Sequence, residues 1–187
     1  MEVYVIRHTP VAVDKSICYG QTNVPLASTF LEDAAATRRQ LPDKFDAVYS
    51  SPLERCKNLA TTLKVGKIHS DERLLEVNFG DWEGVAWHAI DQETLNNWMF
   101  DFVNVAPPKG ENLNSLNHRV GLFLEELRQR DLERVLLVTH AGVIRCIWAN
   151  LLEIPLKNIF KIPVAYGEVF AFRLGKNTTL DSIFRLK

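Results

Sequence analysis

The sequence predicts an α/β protein: a three-layer sandwich with a mostly parallel mixed sheet flanked by helices, on three observations. Apolar runs of strand length at residues 2–6, 46–49 and 134–139 show little polar alternation, the pattern of strands covered on both faces. Residues 31–41, 53–63 and 113–130 repeat apolar side chains at helical spacing. The two kinds of segment alternate, which implies parallel strands joined by crossover helices.

Taken in order, the first strand runs into Arg7-His8-Thr9. The second leads to Ser51-Pro52-Leu53-Glu54, which reads as a capping box with proline at the first helical position, so a helix starts at that strand's carboxyl end. Residues 70–110 break the pattern: 78–84 are turn-like, 87–102 are aromatic-rich and helical, and Pro107-Pro108-Lys109-Gly110 is a stop. This stretch is expected to be an insert over the sheet edge, covering the active site. The third strand passes through His140-Ala141-Gly142 into an apolar helix at 143–152. Residues 166–174 and 180–186 alternate more clearly about Gly175-Lys176-Asn177, which predicts a terminal hairpin and a mixed sheet. With no repeat or low-complexity tract, residues 1–187 read as one domain.

The bulk composition sets limits on function. A hydrophobic share of 47%, a charged share of 24% and a net charge of −1 describe a globular chain without a disordered tract. No basic stripe marks a nucleic-acid partner; Arg38-Arg39 reads as a solvated helix face. The opening Met-Glu-Val-Tyr-Val-Ile-Arg has none of the features of a secretory signal, and the longest apolar stretch, 141–152, is interrupted by Arg145, well short of the ~20 residues a membrane span needs. A cytoplasmic protein without a membrane partner is expected. Cys18, Cys56 and Cys146 are widely spaced and read as reduced thiols; neither they nor the five histidines have metal-site spacing, so no metal or cofactor is expected. Nothing in the sequence fixes the oligomeric state.

The chemistry concentrates at strand ends. Two buried strands end in histidine, His8 and His140, and ligands of open α/β sheets bind beyond the carboxyl ends of the strands, so both imidazoles are expected to face one crevice. A lone strand-end histidine is more often structural, but two together, one preceded by Arg7, favour a site. Arg55 lies in the first turn of the helix after the second strand, where helical side chains lean back toward the crevice. Its bland alternative is a surface pair with Glu54 or Asp46. Ala141-Gly142 opens a helix whose first N–H groups would face an anion. Arg7, Arg55, His8, His140 and this helix end predict a positive pocket for a small phosphorylated substrate, since guanidinium forks match phosphate oxygens. For the leaving group a proton donor is needed, and Glu76, after an apolar pair, is preferred over Asp81 and Glu83 in their glycine-bounded turn. Partial burial is expected to keep Glu76 protonated; the alternative is a salt bridge to Arg73. No cysteine-phosphatase loop, GxxxxGK[ST] or GxGxxG segment is present.

Arg7-His8-Thr9, Ser51-Pro52-Leu53-Glu54-Arg55-Cys56, Glu76 ahead of Phe79-Gly80-Asp81-Trp82-Glu83-Gly84, and Thr139-His140-Ala141-Gly142 stand in the order seen in the histidine phosphatase superfamily, related to phosphoglycerate mutase. The chain resembles this family over nearly its whole length. Through Cys18-Tyr19-Gly20-Gln21-Thr22-Asn23-Val24-Pro25-Leu26 and the FGDWEG segment it looks most like the α-ribazole phosphatases of cobalamin biosynthesis. The resemblance implies a phosphomonoester hydrolase in which His8 becomes phosphohistidine. Arg7, Arg55 and His140 would bind the phosphoryl oxygens with Ala141 beside them, Glu76 would protonate the leaving alkoxide, and Tyr19, Gly20 and Gln21 would position the substrate, without a metal. Three positions depart from the family pattern: Thr9 stands where glycine is frequent, Asp14 where asparagine often helps hold phosphate, and Asn23 where aspartate is common. Asn112 replaces a frequent serine but can still cap the following helix.

Three functions compete on this reading. α-Ribazole 5′-phosphate is the leading substrate of a phosphatase. A phosphoglycerate mutase-like enzyme or broad-specificity sugar phosphatase would use the same groups, and a non-catalytic phosphate-binding regulatory protein would not need Glu76. Trp87, Trp98 and Phe100 read equally as core or as a base-stacking wall.

Overall fold

The computed structural model describes residues 1–184. Four strands run parallel, β1 (Glu2–Arg7), β2 (Ala47–Ser50), β3 (Ile68–Ser70) and β4 (Arg134–Thr139); β5 (Val169–Arg173) and β6 (Ser182–Ile183) add antiparallel, giving the order β3-β2-β4-β1-β5-β6. In register, Val5 pairs with Leu137 of β4 on one side and Phe170 of β5 on the other. The mixed, mostly parallel sheet is as expected.

Alternate side chains of these strands divide the core into two layers. On one face Val3, Val5, Val135 and Leu137 pack with Leu116 and Phe123 of α4 (Leu113–Arg128) and Ile144 and Ile147 of α5 (Ala141–Leu152), α3 being Gln92–Phe100 in the loop region. On the other, Tyr4, Ile6, Leu136 and Val138 pack with Ala34 of α1 (Phe30–Arg38) and Leu59 and Leu63 of α2 (Glu54–Leu63). Burying a side chain of this size contributes about 1.5–3 kcal/mol, so the continuous apolar runs stabilise both layers at once. The chain leaves β1 toward α1 on one face and leaves its neighbour β4 toward α5 on the other. That divergence opens a crevice at the carboxyl ends of β1 and β4, the topological switch point of the sheet.

Some local expectations are corrected. Ser51 is not the N-cap of α2, which is Leu53: its hydroxyl accepts from His140 Nε2 at 2.8 Å and only at 3.4 Å from the Leu53 N–H, and the Glu54 N–H goes instead to Asn23 Oδ1 at 3.0 Å. Pro52 therefore sits ahead of the helix rather than at its first position. The helix expected at 31–41 stops at Arg38 in turns that deliver the chain to Pro42, which lacks the N–H a helix requires. Residues 87–102 are split by Asp91, whose carboxylate accepts the Thr94 N–H at 2.9 Å; a short 3-10 turn (Trp87–Ala89) precedes it and α3 follows. Tyr166 lies in a turn before β5, not in the strand. The terminal hairpin is present with β6 shorter than expected, and residues 185–186 of that expectation lie outside the described residues. Strand β3, exposed and three residues long, carries no apolar run to announce it. Asn112 does cap α4, accepting from Ser115 N at 2.9 Å. Among the described residues no helix is long and apolar enough to cross a membrane, and Cys18, Cys56 and Cys146 are buried free thiols.

Candidate active site

A cavity of about 260 Å³ opens in the crevice, lined by Arg7 and His8 after β1, Arg55 of α2, Ala141, Gly142 and Arg145 of α5, and Glu76. A second cavity lies at the opposite end of the strands among Glu2, Lys44, Asp46, Glu133 and Arg134, where Arg134 pairs with Glu2 and Asp46 accepts the Glu133 and Arg134 N–H groups.

His8 is the reactive group this geometry prepares. It is 2% exposed, and its Nδ1 lies 2.8 Å from the Thr9 carbonyl oxygen. A carbonyl only accepts, so Nδ1 carries the proton and Nε2 keeps a free lone pair. Burial, then the cations Arg55 and Arg7, lower its pKa from 6.5 to about 3, while the bond to Thr9 opposes this. The imidazole is neutral at ordinary pH, the form a nucleophile needs.

Two arginines flank it without a carboxylate. Arg7 donates from Nη1 to the Val164 carbonyl at 2.7 Å and lies with its Cζ 3.6 Å from the centroid of the Tyr166 ring, whereas its Nε is buried without a hydrogen-bond partner. An orphaned cationic donor is costly unless an anion completes it. Arg55, 1% exposed, donates to the carbonyls of Thr22 (2.9 Å) and Gly20 (2.5 Å) and, through Nε, to His140 Nδ1 at 3.3 Å. The surface pairing with Glu54 or Asp46 is not formed; Asp46 instead accepts the Glu133 and Arg134 N–H groups.

His140 is fully buried, with its ring centroid 5.2 Å from that of His8. Because Nδ1 accepts from Arg55, Nε2 carries the proton toward Ser51 Oγ. Burial, reinforced by His8 and Arg55, holds its pKa well below the ordinary histidine value. Its ring does not line the cavity.

Glu76 does line it. Oε1 accepts the Val77 N–H at 3.0 Å and Oε2 the Gly142 N–H at 3.2 Å, so the carboxyl sits on the N-terminus of α5. Gly142 leaves room for this carboxyl, which a Cβ at that position would displace. The alternative pairing with Arg73 does not occur; Arg73 binds Asp71 and Glu126. The Glu76 backbone is clamped from behind, its carbonyl accepting from Gln21 Nε2 (2.9 Å) and Arg119 Nη2 (3.0 Å). Arg119 also binds the carbonyls of Arg73 and Leu75 and the Glu111 carboxylate.

Of the stretch Tyr19-Gly20-Gln21, Tyr19 lines the cavity and Gly20 and Gln21 lie behind it. The Tyr19 and Tyr166 hydroxyls meet at 2.7 Å, and burial pushes the Tyr19 pKa up. Gly20 approaches Val77 so closely that a Cβ would strike its carbonyl, and Gln21 turns behind the wall toward Glu76. Glu83 staples the loop by accepting the N–H groups of Gln21, Thr22 and Phe79 and the Thr22 hydroxyl, while Asp81 pairs with Lys109. Asp14 is exposed, accepts from Ser16 N and does not line the cavity; neighbouring Lys15 does. Trp98 belongs to a small core with Trp82, Ile90 and Leu95, Phe100 is 92% exposed, and Trp87 both packs on that core and faces the cavity. Tyr166, Arg119 and Arg145 escaped the sequence reading. Arg145 did leave a signal, as a charge in the middle of an otherwise apolar helix.

A neutral buried imidazole between cationic donors, at the switch point of an α/β sheet, is the site of an enzyme of phosphoryl transfer, and the relatives make it a phosphatase. Residues 3–180 match the family model described as histidine phosphatase superfamily (branch 1). The chain is 30% identical to a Hydrogenobacter thermophilus protein assigned as phosphoserine phosphatase 2, over 98% of this chain and 95% of that one. It is 28% identical to the adenosylcobalamin/alpha-ribazole phosphatase of Salmonella typhimurium, over 89% and 87%. The crystal structure of the alpha-ribazole phosphatase from Shigella flexneri superposes with a TM-score of 0.88 at 26% identity, covering 100% of this chain and 96% of that one. The chain belongs to the histidine phosphatase superfamily, branch 1.

Proposed function

We propose that the chain hydrolyses small phosphate monoesters through a phosphohistidine on His8, without a metal. The observation that carries this reading is the Nδ1–H bond from His8 to Thr9, which leaves Nε2 bare beside two arginines that lack carboxylate partners. Nε2 attacks phosphorus, the ester P–O bond breaks, and the leaving alkoxide takes its proton from Glu76. Glu76 then removes a proton from water, which attacks the phosphohistidine, releases inorganic phosphate and restores the lone pair on Nε2. Arg7 and Arg55 hold the equatorial oxygens, where positioning and electrostatics supply most of phosphoryl-transfer catalysis. His140 fixes Arg55 through Nδ1 while its own Nε2–H is taken up by Ser51 Oγ, so it acts on the phosphoryl group by positioning Arg55. Tyr19 and Ala141 bound the substrate, Gly20 holds Arg55, and Gln21 holds Glu76.

α-Ribazole 5′-phosphate is the first substrate to test, supported by the full-length likeness to alpha-ribazole phosphatases and by Phe79, Trp87 and Phe160 on the cavity wall, which suit a flat ring. A phosphorylated acid such as phosphoserine is favoured instead by Arg145 on the same wall. Free phosphate release across a panel of nucleotide, sugar and amino-acid phosphates, with α-ribazole 5′-phosphate included, tests the reading. Isomerised product in place of free phosphate would make the chain a mutase, and an inert panel would make it a binding protein.

A further inference from the structure

Arg145 is a cation of the cavity wall that the phosphoryl chemistry leaves unused. It follows Ala141 and Gly142 by four and three residues on α5, so all three occupy the face turned to the cavity. Its Nε donates to the Ile162 carbonyl at 3.1 Å, and its Cζ lies 5.4 Å from the centroid of the Phe160 ring. These contacts aim the guanidinium without neutralising it. Arg73, Arg119 and Arg128, also screened from solvent, each pair with a carboxylate at 2.6 or 2.7 Å, whereas Arg145 has no such partner among the described residues.

Its position identifies the part of a substrate it faces. Burial lowers the Arg145 pKa, with Glu76 opposing and Arg7 adding to the effect, so the guanidinium feels both the proton donor and the phosphoryl site. Glu76 must stand beside the leaving oxygen, which places Arg145 over the alcohol half of a bound ester. Lys15 lines the same cavity, and the remaining wall is apolar: Ile17, Leu113, Ile159 and Phe160.

On the phosphomonoesterase reading above, we propose that Arg145 and Lys15 form a second anion subsite, which takes an acidic group carried by the leaving alcohol and so selects phosphate esters of small hydroxy acids over those of neutral alcohols. The fork of Arg145 meets a carboxylate in two parallel hydrogen bonds while the phosphoryl group stays between Arg7 and Arg55.

The test compares kcat/KM for O-phosphoserine and 3-phosphoglycerate with that for α-ribazole 5′-phosphate and p-nitrophenyl phosphate, in wild type, Arg145→Gln and Arg145→Lys. A lost charge-assisted bond in a half-buried site lowers affinity about tenfold or more. The expected result is that Arg145→Gln shifts the ratio of acid-bearing to neutral substrates by at least that factor, through KM, and that Arg145→Lys recovers part of it. An equal fall for both kinds, or an unchanged ratio, overturns the proposal. In wild type, free D-glycerate should inhibit more strongly than glycerol; equal inhibition overturns it even if Arg145→Gln fails to fold. Wild type hydrolysing neutral esters best also sinks it, while leaving the phosphohistidine mechanism intact. Failure of that mechanism shows separately, as turnover retained in His8→Ala.

Discussion

The Nδ1–H of His8 is fixed on the Thr9 carbonyl at 2.8 Å, and this one bond decides which nitrogen can react. Were the tautomer reversed, the lone pair would point at a carbonyl and the proton into the pocket. His8→Ala and His8→Asn should therefore both lose at least ~10³-fold in turnover, because no other side chain supplies the lone pair. Rapid quenching of wild type with substrate should trap one phosphate per chain in an acid-labile, base-stable linkage that His8→Ala lacks. A trapped linkage in His8→Ala would place the nucleophile elsewhere.

The same burial makes stability depend on acid. A histidine whose pKa falls from 6.5 to about 3 on folding stays neutral while its unfolded counterpart takes up a proton, so stability is fully present above pH 6.5 and is lost as pH falls toward 3. At pH 5 the cost from His8 is about 2 kcal/mol, and His140, shifted the same way, adds to it. Denaturant melts at pH 7.5 and 5 should show this loss, and His8→Asn should reduce it. An unchanged pH dependence in that variant would show that His8 titrates normally in the folded state.

Glu76 as proton donor makes a prediction about leaving groups. Glu76→Gln should slow alkyl phosphates by about 10²–10⁴-fold but p-nitrophenyl phosphate far less, since a good leaving group departs without a proton. Arg119→Met should show the same dependence in weaker form, because Arg119 holds the Arg73, Leu75 and Glu76 carbonyls. It should also destabilise the fold by about 1–3 kcal/mol, because Glu111 loses its cation and keeps only the Asn78 N–H. Equal slowing of both substrate types would make these residues structural only.

How far the sequence revealed this site depends on how locally each residue is held. His8, Arg7 and His140 follow buried strands whose apolar runs are legible, and the switch point then follows from the alternation of elements. Ser51 departs from its expected role because its hydroxyl sits closer to His140, 89 residues away, than to the Leu53 N–H, and no local rule contains that competitor. Tyr166 reaches Arg7 only through the antiparallel return of β5, and Arg119 reaches Glu76 across 43 residues. Asp91 carries a local capping signal, but the aromatic pattern running across it at 87–102 is the stronger one.

Asn23, a departure from the expected family pattern, has a definite structural role here. Its Oδ1 accepts the Glu54 N–H at 3.0 Å, so it caps α2 from a different loop and ties residues 19–23 to the helix that carries Arg55. Asn23→Ala should remove the cap, at about 1 kcal/mol of stability, and loosen the carbonyls of Gly20 and Thr22 that hold the Arg55 guanidinium. Asn23→Asp keeps an acceptor, adds negative charge at the helix N-terminus, where it is favourable, and should stabilise by a few tenths of a kcal/mol to about 1 kcal/mol. The carboxylate would also approach Arg55 and draw part of its charge away from a bound phosphoryl group, raising KM. Paired melts and kinetics on the two variants check this, and an unchanged KM in Asn23→Asp would show that the Asn23 side chain is electrically isolated from the phosphate site.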